Sequence, residues 1–296
     1  MKILVFGSAN VDHTYQMPHL VRAGETLSSR IYARNAGGKG LNQAVALGKA
    51  GNRVYFAGAI GSDGGFLHEE LEHAGVNTRF LRQVDAPTGH ALIQVDENGQ
   101  NAIILFSGAN GQIAPEQVDE TLQHFDAGDW VLLQNEISCG EYILRKAHER
   151  GMHVALNPSP ISAELLSWPL DRTDLFLLNE VEGEDITGET EPERMLEEML
   201  KKYPDARVVL TLGEKGALYG AKNERLYQAA FPVKPVDTTA AGDTFTGYFL
   251  QSVVQGKPLQ EALRTAACAA AIAVSREGAG KSIPLVDEVE KELQQG

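Results

Sequence analysis

The stretch Asp237-Thr238-Thr239-Ala240-Ala241-Gly242-Asp243-Thr244-Phe245 holds the residues best placed to do chemistry. Small residues there lead straight into an amphipathic helical pattern over 243–255, so several backbone N–H groups converge at a helix start carrying about half a positive charge. Such a turn can hold an anion. Asp243 stands in the first helical turn, and a carboxylate with an ordinary pKa of about 3.9 is ionised at neutral pH and can take a proton from an alcohol. A base beside an anion hole suits phosphoryl transfer, in which the protein positions groups and stabilises charge. The same residues would equally serve an ordinary helix N-terminus with an aspartate in its first turn.

A second constellation is Ala36-Gly37-Gly38-Lys39-Gly40-Leu41-Asn42. Its glycines let backbone approach a ligand closely, and Lys39 and Asn42, about one turn apart at a helix start, can present polar groups to hydroxyls. A glycine turn before a surface helix fits the same residues. Further candidates sit where strands end. Ligands in open α/β sheets bind beyond the carboxyl ends of the strands, which selects Asn10 and Asp12 after Ile3–Phe6 and Glu136 after Val131–Gln134. It also selects Asn179 and Glu182 after Leu175–Leu178, and Thr211-Leu212-Gly213-Glu214-Lys215-Gly216 after Val208–Leu210. Gly278-Ala279-Gly280-Lys281-Ser282 looks like the end of a Walker loop, but Ser275 stands at its first glycine and Ile283-Pro284 where a helix would begin, so no phosphate cradle forms there.

The elements that must position these residues alternate. Short apolar runs at Ile3–Phe6, Val54–Ala57, Val131–Leu133, Val154–Leu156, Leu175–Leu178 and Val208–Leu212 read as strands buried on both faces. Between and after them, helical spacing marks the segment containing Leu41, Ala44, Val45 and Gly48, then 141–150, 192–202, 243–255, 259–274 and 285–293. The series predicts a mostly parallel sheet covered on both faces. Ala91–Val95 and Asn101–Phe106 flank Asp96-Glu97-Asn98-Gly99, a hairpin turn signal, and with the turn-rich stretch from Val11 to Arg34 they predict a small β flap outside the main sheet.

The 296 residues, 43% hydrophobic and 22% charged, are enough for one large α/β domain, and no linker or repeat divides them. A formal charge of −14 without a Lys/Arg cluster argues against nucleic acid or an anionic membrane surface as partner. The apolar opening Met1–Phe6 is too short for a signal peptide or membrane span, which places the chain in the cytoplasm. Cys139 and Cys268, far apart and without ligand-type neighbours, predict buried thiols rather than a disulfide or zinc site. No Gly-x-Gly-x-x-Gly follows Ile3–Phe6, so a dinucleotide-binding oxidoreductase is disfavoured.

Taken together, Gly37-Gly38-Lys39-Gly40 with Asn42, Asn179-Glu180-Val181-Glu182, and Asp237 through Asp243 resemble, in order and separation, the signatures of the ribokinase family of carbohydrate kinases, also called the phosphofructokinase-B type. The resemblance runs over essentially the whole chain. It implies a three-layer αβα, Rossmann-like fold with a mostly parallel central sheet and a small β-sheet lid, as a single domain over 1–296 with lid segments at about 11–34 and 88–108. It further implies transfer of the ATP γ-phosphate to a primary hydroxyl of a pentose, O5 of ribose before deoxyribose, fructose or a nucleoside, with a non-catalytic sugar sensor as the rival from another class. By it, Asp243 is the base, and the amides of Ala240, Ala241, Gly242 and Asp243 hold the γ-phosphate. Asn10, Asp12, Gly38, Lys39, Asn42 and Glu136 look like the sugar contacts, and Asn179, Thr211, Gly213, Lys215, Gly216 and Gly242 like the nucleotide contacts. Glu182 would place Mg²⁺ through water. A monovalent cation, usually potassium in this family, would lie by Asp237, Thr239, Ala273, Arg276, Gly278 and Ser282. A homodimer is implied as well. One departure concerns the adenine site, where the family often has Asn and this chain has Ala267 beside Cys268.

Overall fold

The computed structural model describes residues 1–295, and within them thirteen strands and nine α-helices follow one another. The central strand β1 (Ile3–Phe6) pairs in parallel with β4 (Val54–Ile60) on one side and β8 (Trp130–Gln134) on the other. Outward from β4 lies β5 (Asn77–Gln83); outward from β8 come β9 (His153–Asn157), β10 (Leu175–Asn179) and β11 (Arg207–Thr211), all parallel. Two antiparallel strands, β12 (Ala217–Ala221) and β13 (Glu224–Gln228), finish that edge.

The apolar runs are continuous because each strand feeds two cores. Ile3 and Val5 pack on one face with Leu41, Val45 and Phe249, while Leu4 and Phe6 pack on the other with Val118, Leu144 and Phe176. Side chains alternate across a strand, so a run with no polar position requires cover on both sides. The first cover is α1 (Lys39–Lys49), α2 (Gly65–His73), α7 (Ala241–Val254), α8 (Leu259–Val274) and α9 (Val286–Gln295). The second is α3 (Pro115–Leu122), α4 (Gly140–Glu149), α5 (Glu180–Thr187) and α6 (Pro192–Lys202). These are the three layers expected from the sequence.

A smaller four-stranded sheet stands apart, in the order β3 (Ile31–Gly37), β2 (Asn10–Gln16), β6 (Gly89–Val95) and β7 (Asn101–Phe106). β2 pairs antiparallel with β3 and parallel with β6, and β6 and β7 form the hairpin signalled by Asn98-Gly99. Asp96 closes its turn by accepting from the N–H groups of Asn98 and Gln100, and Gly99 takes φ 77°. Only Gly7-Ser8-Ala9 separates β1 from β2, so the chain leaves one sheet for the other where the polar candidates lie.

Several elements escape the sequence reading. β5 is an edge strand with Arg79 and Arg82 turned outward, and β12 and β13 are five-residue strands at the opposite edge; none carries a doubly buried run. α5 has only eight residues and a glycine, Gly183, in its middle. The 243–255 helix begins two residues earlier than expected, because Ala240 turns into the left-handed region (φ 60°) and Ala241 already enters the helix. The helix expected over 285–293 runs over 286–295. Cys268 is buried as expected, its thiol pushed up to about 11 by burial, but Cys139 is only half-buried because it turns the chain into α4 with φ 61°. Among the described residues no helix is long and apolar enough to cross a membrane.

Candidate active site

The parallel strands all end at one edge, and α1 and α7 begin there. Two glycines bring these helices in closely: a Cβ on Gly247 would lie 2.4 Å from the Ala46 Cβ, and one on Gly40 would lie 2.4 Å from the Ser8 nitrogen. A cavity of about 240 Å³ opens at this edge, walled by Lys39 of α1, Asn157, Leu177, Leu178, Asn179, Glu182, Thr211, Thr238, and Ala240 through Asp243. The base and the anion turn singled out in the sequence therefore share one wall.

Asp243 is buried, 9% exposed, with both carboxylate oxygens engaged. Asn42 Nδ2 donates to Oδ2 at 3.1 Å and Gln43 Nε2 to Oδ1 at 2.9 Å. At the adjoining turn, Thr244 N–H and Oγ1–H both donate to the Ala240 carbonyl at 2.8 Å. Ala241 N–H is turned back onto the Thr238 carbonyl at 3.2 Å. Among the described residues, the N–H groups of Ala240, Gly242 and Asp243 have no protein acceptor. Three donors at a helix N-terminus are thus left for an anion.

On the other side of Asp243 the polar groups are tied together. Lys39 N–H donates to Glu136 Oε2 at 3.0 Å, Ser8 Oγ donates to the same oxygen, and Gly40 N–H donates to Ser8 Oγ at 3.2 Å. Asn10 Oδ1 accepts from Asn110 Nδ2 at 2.7 Å. Burial pushes the Glu136 carboxyl up, against the opposing pull of the Ser8 hydroxyl and the Lys39 charge. Burial, then the charges of Glu136 and Asp243, raise Asp12 to about 7. Asn42 Oδ1 is buried without a partner. A hydroxyl group would supply the donor that this oxygen lacks.

The remaining candidates lie around the cleft. Asn179 caps α5 reciprocally with Glu182: its Oδ1 accepts from Glu182 N–H at 2.9 Å, and Glu182 Oε2 accepts from Asn179 N–H at 3.0 Å. Thr211 is a wall residue, whereas Gly213, Lys215 and Gly216 form the turn just beyond it and are not among the wall residues. Asp237 accepts from Thr239 N–H at 2.9 Å and Gly278 N–H at 3.0 Å, which draws two chain segments together. Burial works to raise its carboxyl, but the bonds from Thr239 and Gly278 outweigh this and hold it below the usual range. Around it, the Ala273 carbonyl accepts from Arg276 N–H, the Arg276 guanidinium pairs with Glu288, and Ser282 Oγ donates to the Ala279 carbonyl. A site there would have to use backbone carbonyls, which suit a weakly held monovalent cation. Among the described residues no cluster of three or more His, Cys, Asp or Glu could hold a metal ion. A divalent ion arriving with a nucleotide fits this site with phosphate oxygens and waters as its main ligands and Glu182 in the wall behind.

Sequence reasoning missed Ser8, Gln43, Asn110 and Asn157. Asn157 was within reach, since it ends β9 just as Asn179 ends β10. Gln43, Ser8 and Asn110 carry no such signal; they matter through bonds to residues about a hundred or more positions away.

This fold, with a buried carboxylate beside a turn of free N–H groups in a cleft at the strands' carboxyl ends, is that of a sugar kinase. The model for pfkB family carbohydrate kinases matches residues 1–285, and the chain belongs to that family. It is 37% identical over 298 residues to a ribokinase of Haemophilus influenzae, covering 97% of this chain and 96% of that one. It is 32% identical to a deoxyribokinase of Salmonella typhi, covering 99% of both. The structure of Arabidopsis thaliana ribokinase complexed with ribose and ATP superimposes with a TM-score of 0.87 at 34% identity, covering 99% of this chain and 98% of that one.

Proposed function

We propose that the chain phosphorylates D-ribose at its primary hydroxyl with ATP, giving ribose 5-phosphate and ADP. One observation carries the reading: a buried carboxylate, Asp243, is held by Asn42, whose Oδ1 has no partner, and stands in a turn where the N–H groups of Ala240, Gly242 and Asp243 have no protein acceptor among the described residues. Asp243 takes the proton as the sugar O5 forms its bond to the γ-phosphorus, and the bond to the bridging oxygen breaks to release ADP. The N–H groups of Ala240, Gly242 and Asp243 receive the charge on the equatorial oxygens, joined by Ala241 once its turn relaxes. Asn10, Asp12, Gly38, Lys39, Asn42 and Glu136 hold the sugar. Asn179, Thr211, Gly213, Lys215 and Gly216 lie along the nucleotide, with Glu182 facing Mg²⁺ through water; when bound, Mg²⁺ neutralises charge on the phosphates. A potassium ion by Asp237, Thr239, Ala273, Arg276, Gly278 and Ser282 would brace the anion turn.

In this reading the domain is single, and the smaller sheet is a lid over the sugar, its first segment running from Asn10 to Gly37 rather than over the expected 11–34 and its second lying within 88–108. β7 is an edge strand exposed along its whole length, with Ile104 62% and Phe106 50% exposed, and a second copy covering it makes the protein a homodimer. Ile104→Lys should then sediment as a monomer where the parent is a dimer; a parent that is itself monomeric refutes this part. ATP as phosphoryl donor and a strongly acidic chain fit the cytoplasm. The likeness to a deoxyribokinase keeps 2-deoxyribose as the second reading. ATP consumption with ribose, 2-deoxyribose, fructose and nucleosides decides: the highest kcat/KM should fall on ribose, and absence of turnover with every sugar would overturn the assignment.

A further inference from the structure

Gln43 is completely buried, so it cannot touch a ligand, yet it bonds the proposed base. Its amide sits in a chain whose direction is fixed at both ends. An ionised carboxylate only accepts, so Gln43 must turn Nε2 toward Asp243 Oδ1, at 2.9 Å. A backbone carbonyl only accepts, so Asn157 must turn Nδ2 toward the Leu177 oxygen, at 2.8 Å, leaving its Oδ1 to accept the second Gln43 hydrogen at 3.1 Å. Both anchors demand the same orientation of Gln43. Its own oxygen then accepts from Gln134 Nε2 at 2.6 Å, and Gln134, also fully buried, is left with an unpartnered Oε1. That orphan is costly in a site shielded from water. It is borne by a chain spanning β8, β9, β10, α1 and α7, and its output is one hydrogen bond to the base.

We infer that Gln43, oriented by Gln134 and Asn157, is a positioning residue that fixes the Asp243 carboxylate for proton abstraction. This rests on Asp243 being the base. Asn42 holds the other oxygen from the pocket side, so Gln43 supplies the restraint that a sugar cannot displace. The other charged groups near Asp243 are Asp12 on β2, Glu136 beyond β8 and Lys39 on α1. None of them sits in the amide chain.

The test compares Gln43→Met, close in volume, with Gln134→Met and Asp243→Asn on the full chain. Gln43→Met should lower kcat about 10- to 100-fold while the KM values for ribose and ATP change by less than about threefold. Gln134→Met keeps the bond to Asp243 but removes the donor that holds Gln43 Oε1, and should show the same pattern at about a third to a tenth of the size. If Gln43→Met does not fold, the Gln134→Met pattern decides alone. Unchanged kcat in folded Gln43→Met, with Asp243→Asn inactive, overturns the positioning role and spares the base. Near-parental turnover by Asp243→Asn removes the reading on which it rests.

Discussion

The two sides of Asp243 are built on opposite plans. On the hydroxyl side, two hydrogen-bonded groups stand before any ligand arrives: Ser8, Lys39 and Gly40 with Glu136, and Asn42 and Gln43 with Asp243. On the phosphate side, the small-residue turn leading to Asp243 leaves the N–H groups of Ala240, Gly242 and Asp243 without a protein acceptor among the described residues, while Ala241 closes back on Thr238. A neutral sugar offers weak, directional bonds, so its acceptors must be preset; a phosphoryl group carries the charge that pays the ordering of its own donors. The contrast teaches where substitution should harm folding and where it should harm only chemistry.

Gly40→Ala should have the largest effect. Its Cβ would lie 2.4 Å from the Ser8 nitrogen and 2.6 Å from the Gly7 Cα, both backbone, so α1 must move off β1. A loss of about 3 kcal/mol of stability together with most activity is expected, read by denaturant unfolding and kcat/KM. Parental stability would mean the hydroxyl side is looser than described. Gly242→Ala is the counterpart: a Cβ there meets nothing within 4 Å, so stability should hold while kcat falls about 10²-fold through displacement of the phosphoryl group. Unchanged kcat would show that the phosphate does not approach this turn.

Asp12→Asn is best read by titration. Asp12 is raised from 3.8 to about 7, so between those values the folded chain holds a proton that the unfolded chain has lost. Its contribution is therefore complete below pH 4, declines as pH rises to about 7, and is then constant. The stability of Asp12→Asn relative to the parent should grow over that window by at most about 4 kcal/mol. A flat difference from pH 4 to pH 7 would place Asp12 in water. Unfolding curves at several pH values measure it.

Much of the framework was legible because burial on both faces writes an unbroken apolar run, as in Ile3–Phe6 and Val208–Leu210. The edge strands β5, β12 and β13 lack that signature, and their pairing depends on neighbours that no local pattern names. Asp243 and the 240–243 turn could be read because the chemistry is local: small residues, then a carboxylate in a helix's first turn. Gln43 could not, since it meets Asp243 across 200 residues, and only the close crossing of α1 and α7 at Gly247 brings them together. Ala241 was expected among the anion donors, yet its N–H closes the turn on Thr238, a detail of backbone geometry that residue types do not encode.

Steady-state turnover of Asp243→Asn with ribose and ATP, alongside calorimetric binding of ribose to the same variant, probes the role of this carboxylate most directly. Ribose should still bind while kcat falls about 10²- to 10⁴-fold, the usual range for loss of a general base. Turnover close to that of the parent, with binding intact, would contradict it.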